Sequence, residues 1–132
     1  MREILFRGKR TDTGEWVYGD LLNVGVDYDY AIRTYGGREH GQVNAVNEKT
    51  VGEYTGLEDV NGKRIFEGDV VRKFANGKEF KGVVECKHGS FGVRFADGTG
   101  QFICFFDCGE VIGNIHDNPE LLKESEDTEG EG

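Results

Sequence analysis

Proline is nearly missing from this chain, once in 132 residues, and cysteine appears only three times. One proline excludes the Pro-rich composition of a linker-like or disordered chain. The three cysteines, Cys86, Cys104 and Cys108, are an odd number confined to one half of the sequence. That is not the framework of a disulfide-stapled secreted domain, and it favours a reducing compartment. Long apolar runs are missing too. Nothing approaches the roughly 18 apolar residues of a membrane span, and no apolar run of signal length follows "MREILFRGKR". These absences lead to the expectation of a cytoplasmic protein with no membrane partner. An excess of base is also lacking: the net charge of -9 argues against a surface that coats nucleic acid as a whole.

Part of that charge is local. "ESEDTEGEG" at 124–132 holds five acids (Glu124, Glu126, Asp127, Glu129, Glu131) and no base, which leaves residues 1–123 with 20 acids against 16 bases. The body is mildly acidic, and the tail, with almost nothing to bury, is expected to be disordered.

What is plentiful is glycine, 21 residues of 132 against a usual share of about 7%. Nine Phe, five Tyr and one Trp within a hydrophobic content of 36% support a packed core, and a chain of this size hides about two-thirds of its unfolded surface on folding. Glycine used this way marks tight turns between short strands. "REILFRGK", "WVYGDLL" and "NVGVDYDYAIRTYGG" read as strands, the last alternating Val26, Tyr28 and Tyr30 against Asp27 and Asp29. Trp16 and Tyr18 share a face. "REHGQVNAVNEKTVGEY" is polar at its start, then carries Val43, Val46 and Val51, which suit strands better than a helix. Further on, Asn76-Gly77, His88-Gly89 and Asp97-Gly98 punctuate strand-like runs as hairpin turns do. Only the end looks helical: Asn118 as cap, Pro119 at the first helical position, Glu120 at the positive terminus, and Leu121 and Leu122 as a short apolar face.

Strands at this spacing predict a mainly β fold: an SH3-like small β-barrel with an additional N-terminal β segment and a short C-terminal helix. The expected division is residues 1–54 as the N-terminal segment, 55–123 as barrel and helix, and 124–132 as tail. "TGEWVYGDLL" at 13–22 and "NGKRIFEGDVV" at 61–71 echo one another, which shared hairpin grammar explains more simply than duplication.

Two stretches carry a resemblance. "EYTGLEDVNGKRIFEGDVV" at 53–71 and "EVIGNIHDNPELL" at 110–122, with an opening of the "FRGK…GEWVYGDL" kind, resemble the YopX family of small phage and prophage proteins. Thr55, Gly56, Leu57, Asp59, Gly62, Ile65, Glu67, Gly68 and Asp69 match its first motif. Val111, Gly113, Asn114, Ile115, Asn118, Pro119, Glu120 and Leu121 match the second. The resemblance implies a mostly β, SH3-like protein encoded by a phage or prophage and acting in the host. It implies no activity, catalytic residue or ligand, so the motif residues are expected to be structural.

Three chemical readings compete with scaffold. Cys86, His88, Cys104 and Cys108 contain the atoms of a zinc site, but the spacings do not form zinc knuckles and free cysteine packs readily in a core. Neither a metal nor a cofactor is therefore expected. Glu67 and Asp69, with Glu79-Phe80-Lys81 and Glu85-Cys86-Lys87, offer carboxylates and lysines for a Mg²⁺-dependent nuclease, although Glu-x-Lys pairs arise in any charged hairpin. His40, His88 and His116 show no nucleophile pattern. Arg72, Lys73, Lys78, Lys81 and Lys87, near Phe74, Phe80, Phe91 and Phe95, suggest nucleic-acid binding if the rings are exposed. The reading preferred over these is a non-enzymatic module that binds an unidentified host or phage protein, or itself.

Overall fold

The computed structural model describes residues 4–23, 30–34, 41–87, 89–95, 99–102 and 109–122, with the backbone alone at 101–102. The acidic tail, Val26 and Tyr28, and the Asp97-Gly98 turn lie outside the described residues. What is described is mainly β, in two antiparallel sheets. The chain divides into two units, residues 1–56 and 57–132.

In the first unit, β1 (Phe6–Lys9), β2 (Trp16–Asn23), β3 (Tyr30–Thr34) and β4 (Val43–Ala45) form a meander. The next strand, β5 (Gly52–Glu58), returns to pair with β1, so the order is β4-β3-β2-β1-β5. The "TDTG" turn joins β1 to β2, and Lys9 faces Trp16 while Phe6 faces Gly19 across the hairpin. Ala31 and Ile32 are fully buried, and Val46 and Tyr54 are buried as well. Beyond β4 the chain does not stay at an open edge. Val46 bridges Arg10, Thr11 N–H donates to Ala45 O at 3.0 Å, and Asn47 N–H donates to Lys9 O at 2.9 Å. The end of β4 is thus tied both to β3 and to the end of β1. A single 3-10 turn, Glu48–Thr50, follows, where the sequence suggests only strands. The Asn47 side chain caps it by accepting from Lys49 N–H.

The last two residues of β5, Leu57 and Glu58, belong to the second unit, where β6 (Arg64–Phe66) lies beside them. A second meander follows: β7 (Asp69–Ala75), β8 (Lys78–Lys87), β9 (Ser90–Phe95) and β10 (Gly100–Phe102). Then β11 (Glu110–Asn114) returns to pair with β7, giving the order β10-β9-β8-β7-β11. Asn76 and Gly77 both take positive φ, 54° and 76°, as a two-residue type I′ turn requires. Ile65, Val71, Val84 and Val93 form the core of this unit, with Leu57, Phe80, Phe95 and Val111 packed against them. Among the described residues this sheet is open, with no ladder joining β10 to β11. The barrel expected over 55–123 therefore appears here as a five-stranded antiparallel sheet.

Each unit repeats one strand order, a four-strand meander whose fifth strand returns to the first. The echo seen in the sequence does not mark that repeat. Residues 13–22 fall on the β1–β2 turn and the second strand of their unit, whereas residues 61–71 run through β6 into the first strand of the other meander. Similar letters mark similar turns at different places in the topology.

Candidate functional site

The two motifs meet, and Asp59 is where they do. It is 6% exposed and follows β5 directly. Its Oδ1 accepts from the N–H groups of Asn61 at 2.9 Å and Lys63 at 2.8 Å, which shapes the turn into β6. Its Oδ2 accepts at 2.9 Å from the N–H of Val111, 52 residues away on β11. Next to it, Val60 N–H donates to Gly109 O at 3.0 Å. Burial on its own would raise the Asp59 carboxyl, but the donations from Val111, Lys63 and Asn61 outweigh it, with a smaller pull from the Lys63 charge. The group therefore titrates below the ordinary carboxylate value of 3.8.

The rest of the first motif repeats this theme. Asp69 is 1% exposed, and its Oδ2 accepts from Phe66 N–H at 2.8 Å across the Glu67-Gly68 turn. Gly68 has φ 91°, donates to Val84 O at 2.8 Å and accepts from Ile115 N–H at 2.9 Å. A side chain at that φ would be strained. Ile65 is core, Leu57 packs on it, Thr55 is buried, and Gly56 and Gly62 both take positive φ. Glu67 is half-buried.

In the second motif, Asn114 Oδ1 accepts from His116 N–H at 3.0 Å and Asp117 N–H at 2.9 Å. Asn118 departs from its expected role. Its Oδ1 accepts from Asn114 N–H at 3.3 Å, at the end of β11, instead of capping the helical turn at 120–122. Pro119 leads into that turn. Gly113 is closely approached in the same packing: a Cβ there would stand 2.6 Å from Asn118 Oδ1 and 2.7 Å from Leu121 Cδ1, so these two side-chain ends would have to shift.

For the nuclease reading, this places the Asp69 carboxylate in the interior against a backbone amide, away from any surface where metal and phosphodiester would meet it. The Glu-x-Lys pairs resolve as sheet chemistry. Glu85 pairs with Arg94 on β9 at 3.0 Å, and Glu79 stands 3.9 Å from Arg72. Arg72 is also paired with Glu110 on β11. Among the described residues no three of His, Cys, Asp and Glu gather as metal ligands. Cys86 is exposed on β8, while Cys104, Cys108, His40 and His88 lie outside the described residues. No helix of the described residues is long and apolar enough to cross a membrane.

The strand register separates the basic residues that the sequence groups together. Arg72 faces Lys81 and Phe74 faces Glu79, so these four share one face of the β7–β8 hairpin. Lys73 faces Phe80 and Lys78 faces Ala75 on the other face. Lys87 stands at the far end of β8, about 20 Å along the strand from Lys81. The phenylalanines separate as well. Phe80 and Phe95 pack together at 6.1 Å between ring centroids and join the core, and Phe91 is half-buried. Phe74 alone of the four is open, at 67% exposure, with the Arg72 guanidinium 5.6 Å from its centroid. One signal for this was present in the sequence: Phe74 is three residues from the core residue Val71, hence on the opposite face of a regular strand.

The first unit has its own polar recess. A cavity of about 440 Å³ opens at the seam between β1 and the end of β4, lined by residues that include Lys9, Arg10, Thr11, Tyr30, Asn47 and Thr50. Arg10, on its rim, makes a two-pronged contact with Asp12, at 2.9 and 2.8 Å, which also keeps the Asp12 carboxyl below its usual range.

A family model described as "YopX protein" matches residues 5–123. The chain is similar to a solved structure titled "Crystal structure of protein EF1440 from Enterococcus faecalis", with 25% identity, 92% of this chain and 99% of that chain covered, and a TM-score of 0.59. No curated protein matches the chain.

Proposed function

The chain belongs to the YopX family, and from that premise we propose that it is a non-enzymatic binding module of a phage or prophage, acting on a macromolecule in the host cytoplasm. One observation carries this reading. Of the carboxylate pair Glu67 and Asp69, Asp69 is turned inward onto the Phe66 amide, and the motif's other aspartate, Asp59, accepts from three more backbone amides. Residues bonded this way hold a fold together, and the surfaces left for function are those of the sheets.

The architecture supports a small-barrel reading in SH3-like terms. In both units a meander of four strands takes a fifth strand back against the first, and in the first unit a 3-10 turn precedes that return. The hydrogen bonds from Thr11 and Asn47 that tie the end of β4 to β1 curl the first sheet toward closure. Such modules work by surface complementarity to a protein, a second copy or a nucleic acid.

The test incubates the purified chain with single-stranded and duplex oligonucleotides and Mg²⁺, and measures its sedimentation alone and with host lysate. Intact oligonucleotides with a retained partner or self-association support the module. Magnesium-dependent cleavage that disappears in a folded Asp69→Asn variant sinks it and restores the nuclease.

A further inference from the structure

We propose that Asn76, in the turn of the β7–β8 hairpin, is a site of spontaneous deamidation in the folded protein, with water as the co-reactant. The other Asn-Gly step of the chain, Asn61-Gly62, is held out of the same reaction by Asp59. The inference goes beyond the binding-module reading and does not depend on it.

An asparagine followed by glycine is the step at which this chemistry is fastest, because the attacking backbone nitrogen carries no side chain at its own Cα to crowd the approach. Solvent hydroxide removes the Gly77 N–H proton, and the nitrogen attacks Asn76 Cγ. The new C–N bond closes a cyclic imide, and the carboxamide nitrogen leaves as ammonia after taking a proton from water. Water then opens the imide at either carbonyl. Addition at Cγ leaves an aspartate; addition at the main-chain carbonyl leaves an isoaspartate, whose backbone runs through the former side chain. The balance is a water taken up and an ammonia released, with nothing oxidised or reduced.

The sequence supplies its own control. Asn-Gly-Lys occurs at 61–63 and again at 76–78, so the local chemistry of the two sites is the same. Neither exposure nor steric room separates them. Asn61, Gly62, Asn76 and Gly77 are all exposed, and both glycines take positive φ, 83° and 76°, with nothing within 4 Å of where a Cβ would stand.

Hydrogen bonding does separate them. At the first site Asp59 N–H donates to Lys63 O at 2.7 Å, Gly62 N–H donates to Asp59 O at 2.9 Å, and Asp59 Oδ1 accepts from the amides of Asn61 and Lys63. The attacking nitrogen is engaged with a carbonyl, and turning it toward Cγ means opening a turn built on a buried carboxylate that also holds Val111. At the second site Gly77 N–H donates no hydrogen bond among the described residues. The nearest ladder pair is Ala75–Lys78, at the free end of the hairpin, and such ends open locally at little cost in free energy.

The product changes this end of the sheet. Residues 72–81 hold four bases and one acid, and a carboxylate at 76 places a second acid at their tip. An isoaspartate also adds a main-chain carbon to a turn whose φ values, 54° and 76°, fit the two-residue type I′ geometry, so shape changes together with charge.

The test ages the full chain at mildly alkaline pH and body temperature, in buffer and in urea sufficient to unfold it, and digests each sample with trypsin beside an unaged control. Cleavage after Lys73 and Lys78 isolates Asn76 on residues 74–78, and cleavage after Lys49 and Lys63 isolates Asn61 on residues 50–63. Mass spectrometry follows the amide-to-acid gain on each peptide, and separation of aspartate from isoaspartate products identifies the imide route. In buffer Asn76 converts about tenfold faster than Asn61 or more, the factor expected where additional hydrogen bonds must break at the slower site. In urea the two rates converge, because the tripeptides are identical.

Equal rates in buffer overturn the proposal, as does a faster Asn61. An Asn76 that stays intact in the folded chain while converting in urea overturns it too, since the hairpin turn would then protect the site. Rates that remain apart in urea overturn the role given to Asp59.

Discussion

The carboxylate of Asp59 accepts the backbone N–H of Val111 at 2.9 Å, across 52 residues of chain. Asp59 belongs to the first family motif and Val111 to the second, so this bond joins the turn before β6 to the start of β11. Beside it, Val60 N–H reaches Gly109 O, and farther along, Ile115 N–H reaches Gly68 O. Backbone groups at both ends of β11 are thereby paired, which removes part of an edge that would otherwise invite another strand. The motif residues are tied together by this strand and not by a shared reaction.

Acid should release that connection. Asp59 titrates below the ordinary carboxylate value of 3.8, so its contribution to stability is complete above that value and fades as pH falls through the depressed folded-state value. The urea midpoint, followed from about pH 5 down to about pH 2, should drop more steeply for the native chain than for Asp59→Asn. Parallel curves would assign the acid sensitivity to other groups.

Gly113 offers a steric test of the closing turn. Gly113→Ala places a methyl 2.6 Å from Asn118 Oδ1 and 2.7 Å from Leu121 Cδ1, and the expected loss is about 1–3 kcal/mol in chemical denaturation. Asn118→Ala in the same background should recover part of it, since the nearest obstacle is then gone. A Gly113→Ala variant as stable as the native chain would contradict the packing.

At Gly68 the cost lies in the backbone. Its φ of 91° makes Gly68→Val destabilising by about 1–3 kcal/mol, while Glu67→Gln, one residue away and half-buried, should fall within about 0.5 kcal/mol of the native chain. Comparable losses in the two variants would contradict the turn geometry.

Phe74 and Phe80 contrast an exposed ring with a packed one. With most of its ring in water, Phe74→Ser should shift stability by no more than about 0.5 kcal/mol, whereas Phe80→Ser, on the core, should cost about 3 kcal/mol or more. Thermal melts of the two variants check the contrast, and equal losses would mean that Phe74 is packed in solution.

Much of this was legible in the sequence. Asn76-Gly77 forms the turn its letters predict, Ile65 and Leu57 enter the core, and Gly68 takes the conformation that only its lack of a side chain makes easy. Local chemistry suffices for such features. The Asp59–Val111 bond was not legible, because alternation within a strand does not say which distant strand lies beside it. The basic residues show the same limit: five charges close in sequence are divided by register between two faces and two ends of the hairpin. The neighbours of Asn118 predict a helix cap, yet the Asn114 amide at the end of β11 donates to its side-chain oxygen.

The most direct test of the motif as scaffold is urea unfolding of Asp59→Ala beside the native chain at neutral pH. Three backbone amides lose their acceptor, so the expected loss is about 2–4 kcal/mol. An unchanged midpoint would contradict the account, since the Asp59 carboxylate would then not hold the frame.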